Sequence, residues 1–258
     1  NSSVAYYDRA YIDGVITVFM ILFGINFNMY FLLLIKDVKS VWKNEEVRAY
    51  LGIIVAATLV ITCNVLSIYK EPLKAFRYSI FQVASIITTT GFATADFNLW
   101  PELSKCILLL IMVIGACAGS TGGGVKVSRF LILWKSILKQ VKGMLHPKSV
   151  NVVKVNGKKI SNETLQGVYA YFSAYVFVFG ISVLLVALDN FDFATTISGV
   201  LTTLSNVGPG ISRVGPIENF QSFSVLSKIV FSMDMLIGRL EIFPFLMICS
   251  PSFWRKHF

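Results

Sequence analysis

Three long apolar runs, residues 12–35, 50–69 and 168–188, each reach the roughly 20 residues that a helix needs to cross a bilayer. Two further stretches, 106–134 and 224–249, are as long but are interrupted by glycine or polar residues. Together they predict five crossings. Composition supports the same class, because only 14% of residues are charged and mean hydropathy is +0.69, whereas soluble domains carry about 25% charged residues. A soluble globular enzyme is excluded on these grounds. Disorder is excluded too, since 21 Phe, 10 Tyr and 4 Trp are far more than a chain unable to bury apolar surface would carry.

The net charge of +9 raises the question of nucleic acid, and the placement of the cations answers it. Fifteen of the 23 Lys and Arg fall in three stretches: Lys36, Lys39, Lys43 and Arg48; nine between Lys126 and Lys159; and Arg255 with Lys256. These alternate with the apolar runs, which is the charge bias of cytoplasmic loops and not of a nucleic-acid surface. No nucleic-acid partner is expected. Cys63, Cys106, Cys117 and Cys249 lie in apolar runs without a CxxC pair, so neither a disulfide frame nor a zinc site is indicated. His146 and His257 lie in basic loops, away from any acidic cluster.

With the basic stretches placed in the cytoplasm, two shorter apolar segments, 73–90 and 193–205, must begin and end on the outer side. Each runs into a hydroxyl-rich and then glycine-bearing stretch, so both are expected to be re-entrant. A repeat supports this: Leu103, Ser104 and Lys105 recur as Leu226, Ser227 and Lys228, and Gly115 recurs as Gly238 at the same spacing. The repeating unit is helix, re-entrant loop, helix. The run 12–35 belongs to neither copy and reads as the last helix of an earlier unit. With no initiator Met or signal peptide, the chain is expected to be the later part of a longer protein.

Irregular backbone at membrane depth survives only where it is buried in protein or lines a watery cavity. The first re-entrant loop carries Thr89, Thr90 and Gly91; the second carries Asn206, Val207 and Gly208. A filter for cations presents consecutive carbonyl oxygens in place of water, and a glycine lets the backbone take the conformation this requires. Gly91 and Gly208 occupy that place. Hydroxyls and amides flank them, which suits a dehydrated monovalent ion better than a divalent one. Ordinary turns remain the plainer alternative for either loop taken singly.

The segment 115–126 holds Gly119, Ser120, Thr121, Gly122, Gly123 and Gly124. Gly119 and Gly124 have the spacing of a phosphate-binding loop, but Val125 stands where its lysine belongs and no strand precedes it. Each interior glycine costs a helix about 1 kcal/mol, so the helix is expected to break in mid-membrane and leave a loop beneath the pore, usable as a gate. In the last apolar run, Asp234, Arg239 and Glu241 place three charges where charge is costly. Two readings of Arg239 stand: one member of a structural ion pair, or a cation facing the conduction path as a barrier.

Five blocks, ITTTGFATADFNLWP at 87–101, GACAGSTGGGVKV at 115–127, HPKSVNVVKVNGK at 146–158, LSNVGPG at 204–210 and GRLEIF at 238–243, resemble in kind and order the TrkH family of bacterial Trk potassium uptake systems, within the wider superfamily of Ktr and plant and fungal transporters. The resemblance covers essentially the whole chain. It implies an all-α integral membrane protein with four helix, pore loop, helix units, of which residues 1–44 end the second, 45–160 form the third and 161–258 form the fourth. It implies potassium as the transported ion, with no organic cofactor, and filter positions at Thr89, Thr90, Gly91, Asn206, Val207 and Gly208. Gly119 through Gly124 would be the intramembrane gating loop, with Arg239 just beneath the filter. It further implies the N-terminal half of the same protein as a partner, a homodimer in the bacterial cytoplasmic (inner) membrane, and a cytosolic TrkA-type ring of nucleotide-binding regulatory subunits.

A membrane-embedded enzyme is disfavoured, since no span offers paired carboxylates, HExxH or a GxSxG elbow. A structural subunit without a pore is the third class. Within transport, the alternative is a sodium-permeable or sodium-coupled relative.

Overall fold

A computed structural model describes residues 3–146 and 151–250. The basic pair Arg255 and Lys256, His257, and residues 147–150 of the block at 146–158 lie outside the described residues. In chain order the helices are α1 (Ala10–Phe23), α2 (Phe27–Leu34), α3 (Val38–Lys43), α4 (Glu45–Tyr69), α5 (Pro72–Ile87), α6 (Glu102–Ile114), α7 (Val127–Leu145), α8 (Asn162–Val186), α9 (Phe193–Leu204), α10 (Val225–Leu240) and α11 (Ile242–Cys249). A hairpin of β1 (Lys154–Val155) and β2 (Lys158–Lys159) interrupts the otherwise helical chain between α7 and α8. Its turn is Asn156-Gly157 with φ of 51° and 76°, the left-handed pair that a two-residue hairpin turn demands.

α4 and α8 are the two described helices long and apolar enough by themselves to cross a bilayer. α4 starts cleanly because Asn44 Oδ1 accepts the amides of Glu46 and Val47, and α8 because Ser161 Oγ accepts that of Thr164. Only 28% and 22% of their most apolar windows are buried within the chain, so most of their aliphatic surface faces outward, as a lipid-facing helix requires.

The run 12–35 is not the single straight crossing expected from its length. It divides into α1 and α2, bent by 93°. Asn26 caps α2 by accepting the Asn28 amide, and a side chain on Gly24 would collide with the Tyr50 hydroxyl and the Thr88 methyl. Packing by two other helices therefore fixes the bend. The stretch 224–249 also divides, into α10 and α11, at Glu241, whose φ of 65° cannot continue a helix. At 106–134 the break comes where the glycines are: Gly115 ends α6 at φ 71° and α7 resumes at Val127.

α5 and α9 have 16 and 12 residues, about 24 and 18 Å at 1.5 Å per residue. Both are too short to span. Residues 81–88 and 198–205 are buried continuously, so each helix ends inside the bundle. α4, α5 and α6 pack on one another around Tyr50, Ile54, Ile61, Val83, Ile87 and Met112. α8, α9 and α10 form the second such group around Val186, Val200, Phe223 and Phe231. The repeated Leu103-Ser104 and Leu226-Ser227 occupy the same second and third places of α6 and α10.

Candidate functional site: two glycine loops over a broken helix

The loops that follow α5 and α9 take the same conformation 117 positions apart, the separation of Gly91 and Gly208. Thr90 donates its amide to the Ser85 carbonyl at 2.9 Å, and Val207 donates to Thr202 at 2.9 Å. One residue earlier, Thr89 and Asn206 sit in the left-handed region at φ 55° and 57°, with amides bonded to Ile86 and Thr203 at 3.1 and 3.0 Å. One residue later, Gly91 and Gly208 have φ of 78° and 114°. A hydroxyl of the short helix then holds the outgoing strand: Ser85 Oγ donates to the Phe92 carbonyl at 2.6 Å, and Thr202 Oγ1 to that of Pro209 at 3.2 Å. The agreement extends to five backbone or hydroxyl features, which isolated turns would not share.

The two loops touch. A side chain on Gly91 would overlap the Val207 carbonyl oxygen, so the backbones approach as closely as glycine permits. Beyond them, Asn98 and Ser212 bond twice, Asn98 Nδ2 to the Ser212 carbonyl at 3.0 Å and the Ser212 amide to Asn98 Oδ1 at 2.8 Å. Thr90 and Gly208 are exposed, while Val207 is buried.

Directly against the ends of both short helices lies the segment between α6 and α7. The Gly123 amide donates to Thr89 Oγ1 at 2.7 Å, and a side chain on Gly123 would meet the Ser205 carbonyl at 2.5 Å. One on Gly122 would reach the Thr88 carbonyl at 3.3 Å. Glycine is thus needed here for close approach to two helix ends at once. Gly119 and Gly124 supply left-handed conformations at 70° and 73°, and the Gly119 carbonyl accepts the Phe27 amide at 3.1 Å. Ser120 Oγ donates to the Cys117 carbonyl and accepts the Gly122 amide. The segment turns back on its own helix through Val125 to Val113 and Lys126 to Ile114.

Arg239 Nη1 donates to the Thr121 carbonyl at 3.0 Å. Neither neighbouring carboxylate pairs with it. Glu241 is bridged to Arg129 at 2.8 Å, whose guanidinium lies 3.9 Å above the Tyr171 ring, and Asp234 accepts from Ser182 Oγ at 2.7 Å. On α10 the chain also meets the second loop: Asn206 Nδ2 donates to the Met235 carbonyl at 3.0 Å, and Gly238 leaves room for the Leu204 carbonyl. The residues expected to act together, Thr89 to Gly91, Asn206 to Gly208, Gly119 to Gly124 and Arg239, therefore form one contiguous group. Among the described residues no three His, Cys, Asp or Glu side chains come together to hold a metal.

Several residues of this group carry no signal of their own in the sequence. Lys126 Nζ donates to the Gly122 carbonyl, and the Ala118 amide donates to Glu46 Oε1 at 2.6 Å. An acidic residue in the first turn of a helix is ordinary, so Glu46 does not stand out until the fold brings Ala118 to it.

A family model described as TrkH, cation transport protein, matches residues 1–256. The chain is 36% identical to the Trk system potassium uptake protein TrkH of Salmonella typhimurium over 99% of its length and 53% of that protein. It is 35% identical to the protein of the same description from Escherichia coli K12, again over 99% of its length and 53% of that protein. The crystal structure of the potassium transporter TrkH from Vibrio parahaemolyticus superposes with a TM-score of 0.89 at 36% identity, covering 98% of this chain and 55% of that one. The chain spans about half the length of the curated relatives it matches.

Proposed function

The chain belongs to the TrkH family of cation transport proteins, and on that premise we propose that it forms part of a potassium uptake pathway through the bacterial cytoplasmic membrane. The family is one of multi-pass membrane transporters and not of enzymes. The observation that carries the proposal is the shared backbone geometry of the loops at Thr89–Gly91 and Asn206–Gly208, in contact through Gly91 and Val207. Two loops of one shape, brought side by side at the ends of two buried helices, are two quarters of a ring of carbonyl oxygens. The helix ends aimed at them carry partial negative charge, which favours a cation at that point. Carbonyls in place of water, with no carboxylate in the loops, suit a monovalent ion.

In this reading residues 1–44, 45–160 and 161–258 are the end of one unit and two whole units, with five crossings and two pore loops. The N-terminal half of the same protein would supply the other two quarters. The glycine segment beneath the loops obstructs the path at rest, and Arg239, bonded to Thr121, adds a positive charge that raises the energy of a passing cation. A homodimer and a cytosolic TrkA-type nucleotide-binding ring complete the proposed assembly, the ring gripping the basic face around α7 and the hairpin. Potassium-dependent growth of an uptake-deficient bacterium carrying the intact gene tests the function. Reversal potentials in mixed potassium and sodium gradients separate it from a sodium-permeable transporter, and no growth rescue with normal membrane yield would overturn it.

A further inference from the structure

Glu46 is a carboxylate in the first turn of α4, only 8% exposed, yet it has no ion-pair partner within salt-bridge distance among the described residues. Its hydrogen-bond partner is a backbone amide of the segment between α6 and α7. Oε1 accepts the Ala118 amide at 2.6 Å. Ala118 precedes Gly119 and Ser128 is the second residue of α7. The side chain therefore holds the start of the glycine segment. Lys126, the cation facing Glu46, is itself bonded to the Gly122 carbonyl in the middle of that segment.

The two ends are not equivalent. Ser128 belongs to a 19-residue helix and cannot swing alone, whereas Ala118 is followed by a glycine in the left-handed region. Opening the segment at its glycine end must therefore pull the Ala118 amide off Glu46. The residue beside it has the opposite orientation: the Glu45 amide donates to Asn156 Oδ1 at 2.7 Å, and the Glu45 carboxylate pairs with Lys135, whose ammonium also donates to the Lys154 carbonyl at 2.7 Å. The start of α4 thus holds the hairpin with one residue and the glycine segment with the next.

We propose that Glu46 is the positioning residue of the gate, a clasp that ties the loop shut at Ala118 and that the Asn156 hairpin can shift through Glu45. The proposal rests on the gating role given to residues 119–124 above. It is tested on the intact transporter in liposomes, by potassium flux without a cytosolic partner, with detergent melting temperature as the control for folding. Glu46→Gln keeps the shape and removes the charge, and should raise resting flux roughly fivefold, the weight of one charge-assisted bond against a neutral one. Ala118→Pro removes the donor without touching Glu46 and should do the same. Deleting residues 119–124 should raise flux further and make Glu46→Gln silent in that background, which a merely structural carboxylate would not become. Parent-like resting flux in a folded Glu46→Gln or Ala118→Pro protein, with the deletion still raising flux, overturns the clasp and leaves the gate. Unchanged flux in the deletion overturns the gate itself.

Discussion

Gly123 donates its amide to Thr89 Oγ1 at 2.7 Å, and Thr89 holds a left-handed φ of 55° that a β-branched residue seldom tolerates. Such strain costs on the order of 1–3 kcal/mol and persists only where surrounding contacts enforce it. The bond therefore joins the broken helix to the first loop and maintains the loop's shape together. Thr89→Val keeps the branching and deletes the acceptor, leaving a donor short of a partner at about 1–3 kcal/mol. Resting potassium flux in liposomes should rise several-fold. Thr89→Asn retains an acceptor and suits the left-handed region, as Asn206 does at the matching place, so its flux should stay near the parent's.

The two loop glycines should respond differently to the same substitution. A serine meets an unfavourable φ at both Gly91 and Gly208, but at Gly91 it also meets the Val207 carbonyl, whereas at Gly208 nothing lies within 4 Å of the added carbon. Gly91→Ser is expected to lower the melting temperature in detergent more than Gly208→Ser. Both should reduce discrimination of potassium over sodium, because either change reshapes the carbonyls of its loop. Reversal potentials unaltered in both variants would remove the loops from the filter.

Much of this was legible because glycine and hydroxyl runs inside apolar stretches have few physical explanations. The short lengths of α5 and α9, the break after Gly115 and the clustering of residues 87–94 with 204–210 all follow from that. The bend at Gly24 was not legible, since a glycine in a helix is tolerated and only the Tyr50 hydroxyl and Thr88 methyl pressing there reveal its use. The break at Glu241 is equally silent, because its partner Arg129 lies 112 positions away. By contrast the Asn156-Gly157 turn is a strong hairpin signal in a segment read for its charge and its family resemblance but not for its structure. The pairing of Arg239 could not be decided from spacing, because carboxylates, Asp234 and Glu241, stand on both sides of it.

Asp192 offers a test outside the spans. Its carboxylate caps α9 through the Thr195 amide at 3.0 Å and hydroxyl at 2.6 Å. Burial alone would raise its pKa, but these bonds outweigh it and hold the group below the usual carboxylate value. A depressed folded value stabilises the protein at neutral pH, and that contribution is lost as pH falls through it. Asp192→Ala should cost about 1 kcal/mol, seen as a lower melting temperature at pH 7, with the gap to the parent closing in acid. A gap independent of pH would mean that the charge plays no part in the cap.

Arg239 gives the sharpest division between a barrier and a brace. Its guanidinium bonds the Thr121 carbonyl, while Glu241 belongs to Arg129 and Asp234 to Ser182. Removing a member of a buried ion pair commonly costs about 3–5 kcal/mol by stranding the other charge. Here no carboxylate is stranded, so Arg239→Gln should keep the parent's detergent-solubilised yield and melting temperature within a few degrees. On the proposed function two effects then act in the same direction on transport: the charge placed beside the path disappears, and the loop loses one of the bonds that hold Thr121 in place. Flux per protein in liposomes should rise several-fold. Arg129→Gln is the natural contrast, because it leaves Glu241 without its partner at the α10–α11 break and should lower yield without raising specific flux. Poor yield and low specific flux in Arg239→Gln would make the arginine a structural support and end the barrier reading.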